Sequence, residues 1–100
     1  MNIVVKAEAR AEFDVAVDFY AQRAPDAARD FTGDFDKLTL QLLQFPHSGK
    51  RVAKNVRQVL FSRFPFKLIY RVEGDEIVIC AVAHQSRRPG YWRKRLGAKR

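Results

Sequence analysis

A chain of 100 residues, 47% of them hydrophobic, is large enough for one core and too small for two, which excludes a multi-domain organisation. No stretch approaches the roughly 20 apolar residues of a membrane span, and the opening MNIVVKAEAR has too short an apolar run for a signal peptide. The net charge of +8 is unevenly spread: residues 1–46 carry five Lys/Arg against eight Asp/Glu, a net of −3, whereas residues 47–100 carry fourteen against three, a net of +11.

A half-molecule that basic attracts phosphate backbones or an acidic protein partner. The single cysteine, Cys80, excludes an internal disulfide and fits a reducing cytoplasm. Its place inside an apolar run reads as a small buried residue. The chain is therefore expected to be one cytoplasmic domain, residues 1–100, with no membrane contact.

Asn2 to Lys6 is short and β-branched, and predicts a first strand. A helix follows, with Ala9, Phe13, Ala16, Val17, Tyr20 and Ala24 at three- and four-residue spacing on one face. Glu8, Glu12, Asp14 and Asp18 fall mostly elsewhere, and Ala7 is a weak cap. Pro25 ends this helix and can open the next, where its missing N–H costs nothing. Ala28, Phe31, Phe35, Leu38, Leu42 and Phe45 then form the strongest helical stripe in the chain, widened by Leu40 and Leu43. This stripe predicts the inner face of an antiparallel helical hairpin. The run from Pro46 to Lys50 ends it with turn formers, and His47 reads as a solvated turn residue.

Val56 to Phe61 predicts the next strand, and Arg63-Phe64-Pro65 turns it towards another. In that strand Phe66, Leu68, Tyr70 and Val72 alternate with Lys67, Ile69 and Arg71, the period of a half-buried strand. Gly74 supplies the positive φ of a hairpin loop. Ile77 to Ala83 is apolar throughout, as in a central strand covered on both faces. The expected fold is α+β in the order β-α-α-β-β-β: a helical hairpin packed on one face of a small, mainly antiparallel four-stranded sheet, with strand one on the free edge of the central strand. A short helix or coil from Pro89 follows. That segment, or a partner, must cover the other sheet face, and the residues past Leu96 are expected to be mobile.

No Gly-rich phosphate loop, metal-ligand spacing or GxSxG motif is present, and the only histidines are His47 and His84. Neither a metal nor a cofactor is expected. What remains is a basic, aromatic set: Arg57, Arg63, Lys67, Arg71, His84, Arg87, Arg88, Tyr91 and Trp92. Such a set can bind RNA, with cations on phosphates and rings on bases. It can also cleave a phosphodiester without metal, His84 or Tyr91 moving a proton while arginines stabilise developing charge. Tyr91 and Trp92 can equally serve as anchors of the terminal segment on the sheet.

The ordered set Ala9-Arg10-Ala11-Glu12-Phe13, Phe45-Pro46-His47-Ser48-Gly49, Val56-Arg57, Lys67 to Val72, and above all His84-Gln85-Ser86-Arg87-Arg88-Pro89-Gly90-Tyr91-Trp92 resembles the RelE/ParE superfamily of toxins from bacterial type II toxin–antitoxin modules. The resemblance covers essentially the whole chain and is closer to the ParE branch. It implies a growth-inhibiting toxin of the kind associated with plasmid stabilization, neutralised by a co-expressed acidic antitoxin. ParE-like members poison DNA gyrase without being enzymes; RelE-like members cleave messenger RNA on the ribosome. The RelE alternative would place catalysis on His84, Arg87, Arg88 and Tyr91, but Gln85 stands where that branch has an arginine, and no closely spaced lysine pair precedes Arg57. The ending is more similar to ParE, so the gyrase-directed reading is preferred. Its target-binding candidates are Arg57, Arg63, Arg71, Arg87, Arg88, Tyr91, Trp92, Arg93 and Arg95.

Overall fold

The computed structural model describes residues 1–97. Strand β1 (Asn2–Val5) leads into helices α1 (Ala7–Arg23) and α2 (Pro25–Gln44). Four strands follow, β2 (Lys50–Ala53), β3 (Val56–Leu60), β4 (Phe66–Glu73) and β5 (Glu76–His84), and a short helix α3 (Arg93–Gly97) closes the described chain. The sheet order is β1-β5-β4-β3-β2. Strand β1 runs parallel to β5, with Val5 opposite Ile79 as the last pair, and the other pairings are antiparallel.

The α+β class, the helical hairpin and the place of β1 beside the central strand agree with expectation. The strand count does not: the sheet is mixed and has five strands. The additional strand, Lys50–Ala53, sits at the edge, where charged Lys50 and Arg51 are solvated. An edge strand needs no apolar alternation, and charges there discourage pairing with another chain. Its turn to β3 is Lys54-Asn55, with Asn55 at φ 61° in the left-handed region that asparagine tolerates. Gly74 (φ 56°) fills the β4–β5 hairpin as foreseen.

Pro25 occupies the first turn of α2, after an extended Ala24 that caps both helices rather than lying on the apolar face of α1. The cap of α1 is Lys6, which makes no side-chain cap bond; its Nζ donates instead to the carbonyl of Arg95 at 3.2 Å.

The main core lies between the helices and one sheet face. There Phe66, Leu68 and Tyr70 from β4 meet Phe31 and Leu42 of α2 and Ala9 and Ala16 of α1. Phe31 stacks on Phe61 at 4.8 Å and is ringed by Phe13, Tyr20, Phe64 and Phe66. The stripe on α2 is narrower than its periodicity suggested. Leu40 is 62% exposed and Phe45, at the end of the helix, 64%; two residues on from the packed Leu38, Leu40 lies about 200° round the helix and faces away from the core.

The second sheet face is covered by the chain's own terminus: Trp92, Tyr91 and Leu96 pack with Val56, Ile69, Val78, Cys80, Ala81 and Ala83. A register shift in the β4–β5 ladder between Ile69 and Tyr70 leaves Cys80 as the extra residue of a bulge, so Cys80 and Ala81 both face this second core. Among the described residues no helix is long and apolar enough to cross a membrane. The expected mobility past Leu96 concerns mainly residues 98–100, which lie outside the described residues.

Candidate functional site

Strand β1 ends where β5 continues, so from Cys80 onward the outer edge of the central strand lacks a neighbouring strand. Buried backbone groups left there need other partners. Lys6 N–H donates to the Ile79 carbonyl at 3.0 Å. Arg95 Nη1 then donates to the Cys80 carbonyl at 3.0 Å, and the Val82 N–H donates to Glu12 Oε1 at 3.0 Å. Glu12 and Arg95 themselves form a two-pronged pair, Nη1 to Oε1 and Nη2 to Oε2, each 2.9 Å. The Tyr91 hydroxyl donates to Glu12 Oε2 at 2.6 Å, and Arg87 Nη1 lies 3.9 Å from the same oxygen. A single carboxylate on α1 therefore organises the basic C-terminal segment.

The electrostatics follow from this arrangement. Burial alone would raise the Glu12 pKa, but hydrogen bonds from Arg95, Tyr91 and the Val82 N–H, with the charge of Arg95, outweigh it and hold the carboxyl below its ordinary value. The Tyr91 phenol is pushed well above its ordinary value by burial and by donating to Glu12. The same carboxylate raises Arg95. Arg87 lies over the Tyr91 ring at 3.8 Å and Arg95 at 5.1 Å, so the two cations that share the carboxylate also contact the ring. Cys80, beneath, is pushed up by burial.

Trp92 is buried as a plug in the second core. Arg93 lies over its ring at 5.0 Å and donates to the Val52 carbonyl at 3.4 Å, which ties the terminus across to the edge strand. Arg88 is exposed, and its carbonyl accepts from Tyr91 N–H in the turn that sets the aromatic pair. Gly90, at φ 78°, makes that turn possible. The anchor role of Tyr91 and Trp92 is thus what the structure displays.

The other candidates are dispersed. Arg63, after β3, donates to the buried Asp34 of α2 at 2.9 Å and lies 3.5 Å from Asp30; its hydrogen bond holds Asp34 below the ordinary carboxylate value. Arg71 is buried on the second sheet face and ion-paired with Glu73. Arg57 donates to the Gly49 carbonyl at 2.9 Å on the opposite face. The structure brings together Arg87, Tyr91 and Arg95, with Trp92 and Arg93 alongside, and leaves Arg57, Arg63 and Arg71 at three separate places.

His84 sits at the end of β5, its ring edge-on to Phe66 at 5.0 Å and its Nδ1 accepting from Ser86 N–H at 2.9 Å. It rims a groove of about 380 Å³ between α1 and β5, floored by Val15, Ala16, Phe19, Tyr20, Phe66 and Val82, with Glu12 and Arg87 at the other wall. Val15 (69%) and Phe19 (46%) leave this groove openly apolar. Sequence reasoning missed both the groove and Glu12. Two signals were present: Glu12 falls in line with Ala9 and Ala16 on the inner stripe of α1, and Val15 and Phe19 are apolar on its outer flank.

Among the described residues no group of three or more His, Cys, Asp or Glu is placed to hold a metal ion.

Comparison with known proteins adds the family. No curated protein matches. A solved structure described as the chromosomal ParDE TA system from P. aeruginosa superposes with a TM-score of 0.73 at 26% identity, covering 84% of this chain and 95% of that one. The model of the ParE toxin of type II toxin–antitoxin systems, parDE, matches residues 3–89. This chain belongs to the ParE toxin family.

Proposed function

We propose that this protein is the cytoplasmic toxin of a parDE-type module, that it arrests growth by poisoning DNA gyrase through binding alone, and that a cognate acidic antitoxin neutralises it. The observation that carries the choice of mechanism is the engagement of Glu12. A nuclease needs a tyrosine or histidine ready to exchange a proton and arginines aimed at the scissile phosphate. Here the Tyr91 proton is committed to Glu12 and its pKa is raised, and Arg95 and Arg87 share the same carboxylate. Groups held this way build a rigid surface better than they transfer protons. On that surface Arg87, Arg88 and Arg93 are exposed, a cationic patch suited to binding, while Trp92 beneath is buried and anchors it.

The antitoxin reading rests on the family and on the groove between α1 and β5. Its apolar floor supplies the burial that sets affinity, while the net charge of +8 speeds encounter with an acidic segment.

The test compares the two targets directly. In a translating extract the wild-type protein leaves messages intact, while in the presence of gyrase and DNA it accumulates gyrase-linked double-strand breaks. Message cleavage that is lost in Tyr91→Phe and Arg87→Ala would overturn this reading in favour of a ribosome-dependent endonuclease.

A further inference from the structure

At the far end of the sheet from His84, beyond the reach of the helices, His47, Arg51, Asn55, Arg57 and Val72 line a second cavity of about 140 Å³. Its lining contains three basic side chains and no carboxylate. Arg51 and Arg57 are direct cross-strand partners on β2 and β3, so their side chains share a face. Like charges placed opposite one another on adjacent strands destabilise a sheet, and an anion held between them relieves the repulsion. No hydrogen bond or ion pair among the described residues engages the side chains of His47, Arg51 or Asn55. Arg57 spends one Nη on the Gly49 carbonyl at 2.9 Å, which fixes the direction of its guanidinium.

The site is also pre-organised. Tyr70 pins the loop carrying His47 from both sides, its hydroxyl donating to the Pro46 carbonyl at 2.8 Å and accepting from Gly49 N–H at 3.0 Å. Gly49 is buried against that ring, and a Cβ there would meet the Tyr70 hydroxyl and the Gln58 carbonyl at 2.7 Å. On the other side Asn55 is held in the β2–β3 turn.

We infer that this cavity is a phosphate-binding site, with the Arg51 and Arg57 guanidinium groups, His47 and the Asn55 amide as donors. Donors that converge from two strands, a turn and a loop suit a tetrahedral oxyanion, whose oxygens point in several directions, better than a planar carboxylate. Arginines favour phosphate through charge-assisted, paired N–H···O bonds. The site is separate from the Glu12 network and independent of the choice of gyrase as target.

The experiment titrates the whole purified chain with inorganic phosphate at constant ionic strength and follows backbone amide resonances. Saturable shifts are expected in residues 47–58, with affinity falling about tenfold in Arg51→Gln, the loss of one charge-assisted donor. Arg51 is exposed, so this variant keeps the fold; unchanged spectra elsewhere verify that. No saturable response, an equal response to acetate, or unchanged affinity in Arg51→Gln would overturn the inference. A short DNA duplex then identifies the source of the phosphate. A salt-dependence slope lower by about 1 in Arg51→Gln assigns the site to a nucleic-acid backbone. An unchanged slope, with the phosphate response intact, assigns it to a free or small-molecule phosphate.

Discussion

Glu12 and Arg95, separated by 83 positions, are joined by two parallel N–H···O bonds of 2.9 Å, and together they supply the partners that a neighbouring strand would have given Cys80 and Val82. Both side chains are mostly buried, at 16% and 17% exposure. The pair is a side-chain splice: it continues the edge of β5 beyond the end of β1 and fastens the basic terminus to α1. The cation-rich segment, packed on the sheet by Trp92, is thus tied to α1 by a single acid from the acidic half of the chain.

The first prediction removes that acid. Glu12→Gln keeps the shape but leaves Arg95 facing a neutral amide and deprives one of its donors of a partner. Breaking one side of a buried pair costs about 3 kcal/mol. The Tyr91 and Val82 donors are weakened as well. Urea unfolding should show a loss of this size at pH 7, and hydrogen exchange at residues 91–96 should accelerate. A change under 0.5 kcal/mol, the range of ordinary surface substitutions, would mean that the terminus is held by Trp92 alone.

Acid should act through the same group. The Glu12 pKa is lower folded than unfolded, so its contribution is fully present above the unfolded value of about 4.3 and is lost as pH falls through the folded value. Asp34, likewise lowered by Arg63, destabilises both proteins in acid and cancels in their difference. The stability gap between wild type and Glu12→Gln should therefore narrow steadily as pH drops below about 4.3. A gap independent of pH between 7 and 3 would exclude a charged Glu12 as the organising group.

Much of the fold was legible because its signals are local. The alternation from Phe66 to Val72, the apolar run from Ile77, and Pro25 between two helical stripes each act within one element. Strand β2 was not legible, because an exposed edge strand lacks the apolar periodicity that marks a buried one. The C-terminal cluster was visible as composition, but its organisation depends on Glu12, and contact across 70 to 83 positions leaves no local trace. The separation of Arg57, Arg63 and Arg71 follows from the pleat and from chain direction. Arg57 and Arg71 fall on opposite faces, and Arg63, past the end of β3, turns to Asp34.

Gly49 offers a test of the loop beside the basic cavity. In Gly49→Ala the new methyl would meet backbone and ring atoms at 2.7 to 2.9 Å, and the backbone carbonyl of Gln58 cannot move without disturbing the β2–β3 pairing. Overpacking of this kind costs about 1–3 kcal/mol, and displacement of Tyr70 adds the loss of its two hydrogen bonds. Tyr70→Phe, which loses only those bonds, should cost less, about 1–2 kcal/mol. Thermal unfolding of the two variants should rank Gly49→Ala as the more damaging; the reverse order would place the strain in the hydroxyl network instead of the packing.

The last prediction concerns the groove between α1 and β5. Phe19 lines it, 46% exposed, with the Arg23 guanidinium 3.6 Å from its ring centroid. Phe19→Asp sacrifices that cation–π contact and some helix propensity, about 1 kcal/mol in all. If the antitoxin seats apolar side chains in the groove, the same change places a carboxylate in the floor of the interface and repels an acidic partner. Binding should weaken by about 2 kcal/mol or more, roughly 30-fold, as for a central apolar anchor. Calorimetry with the product of the adjacent gene gives the affinity, and unfolding of the free toxin gives the stability. Val15→Asp, at a 69% exposed position lining the same groove, should repeat the pattern with a smaller stability change. Antitoxin affinity equal to wild type in both variants would move the partner away from this groove, leaving the basic terminal face around Arg87 and Arg88 as its place of contact.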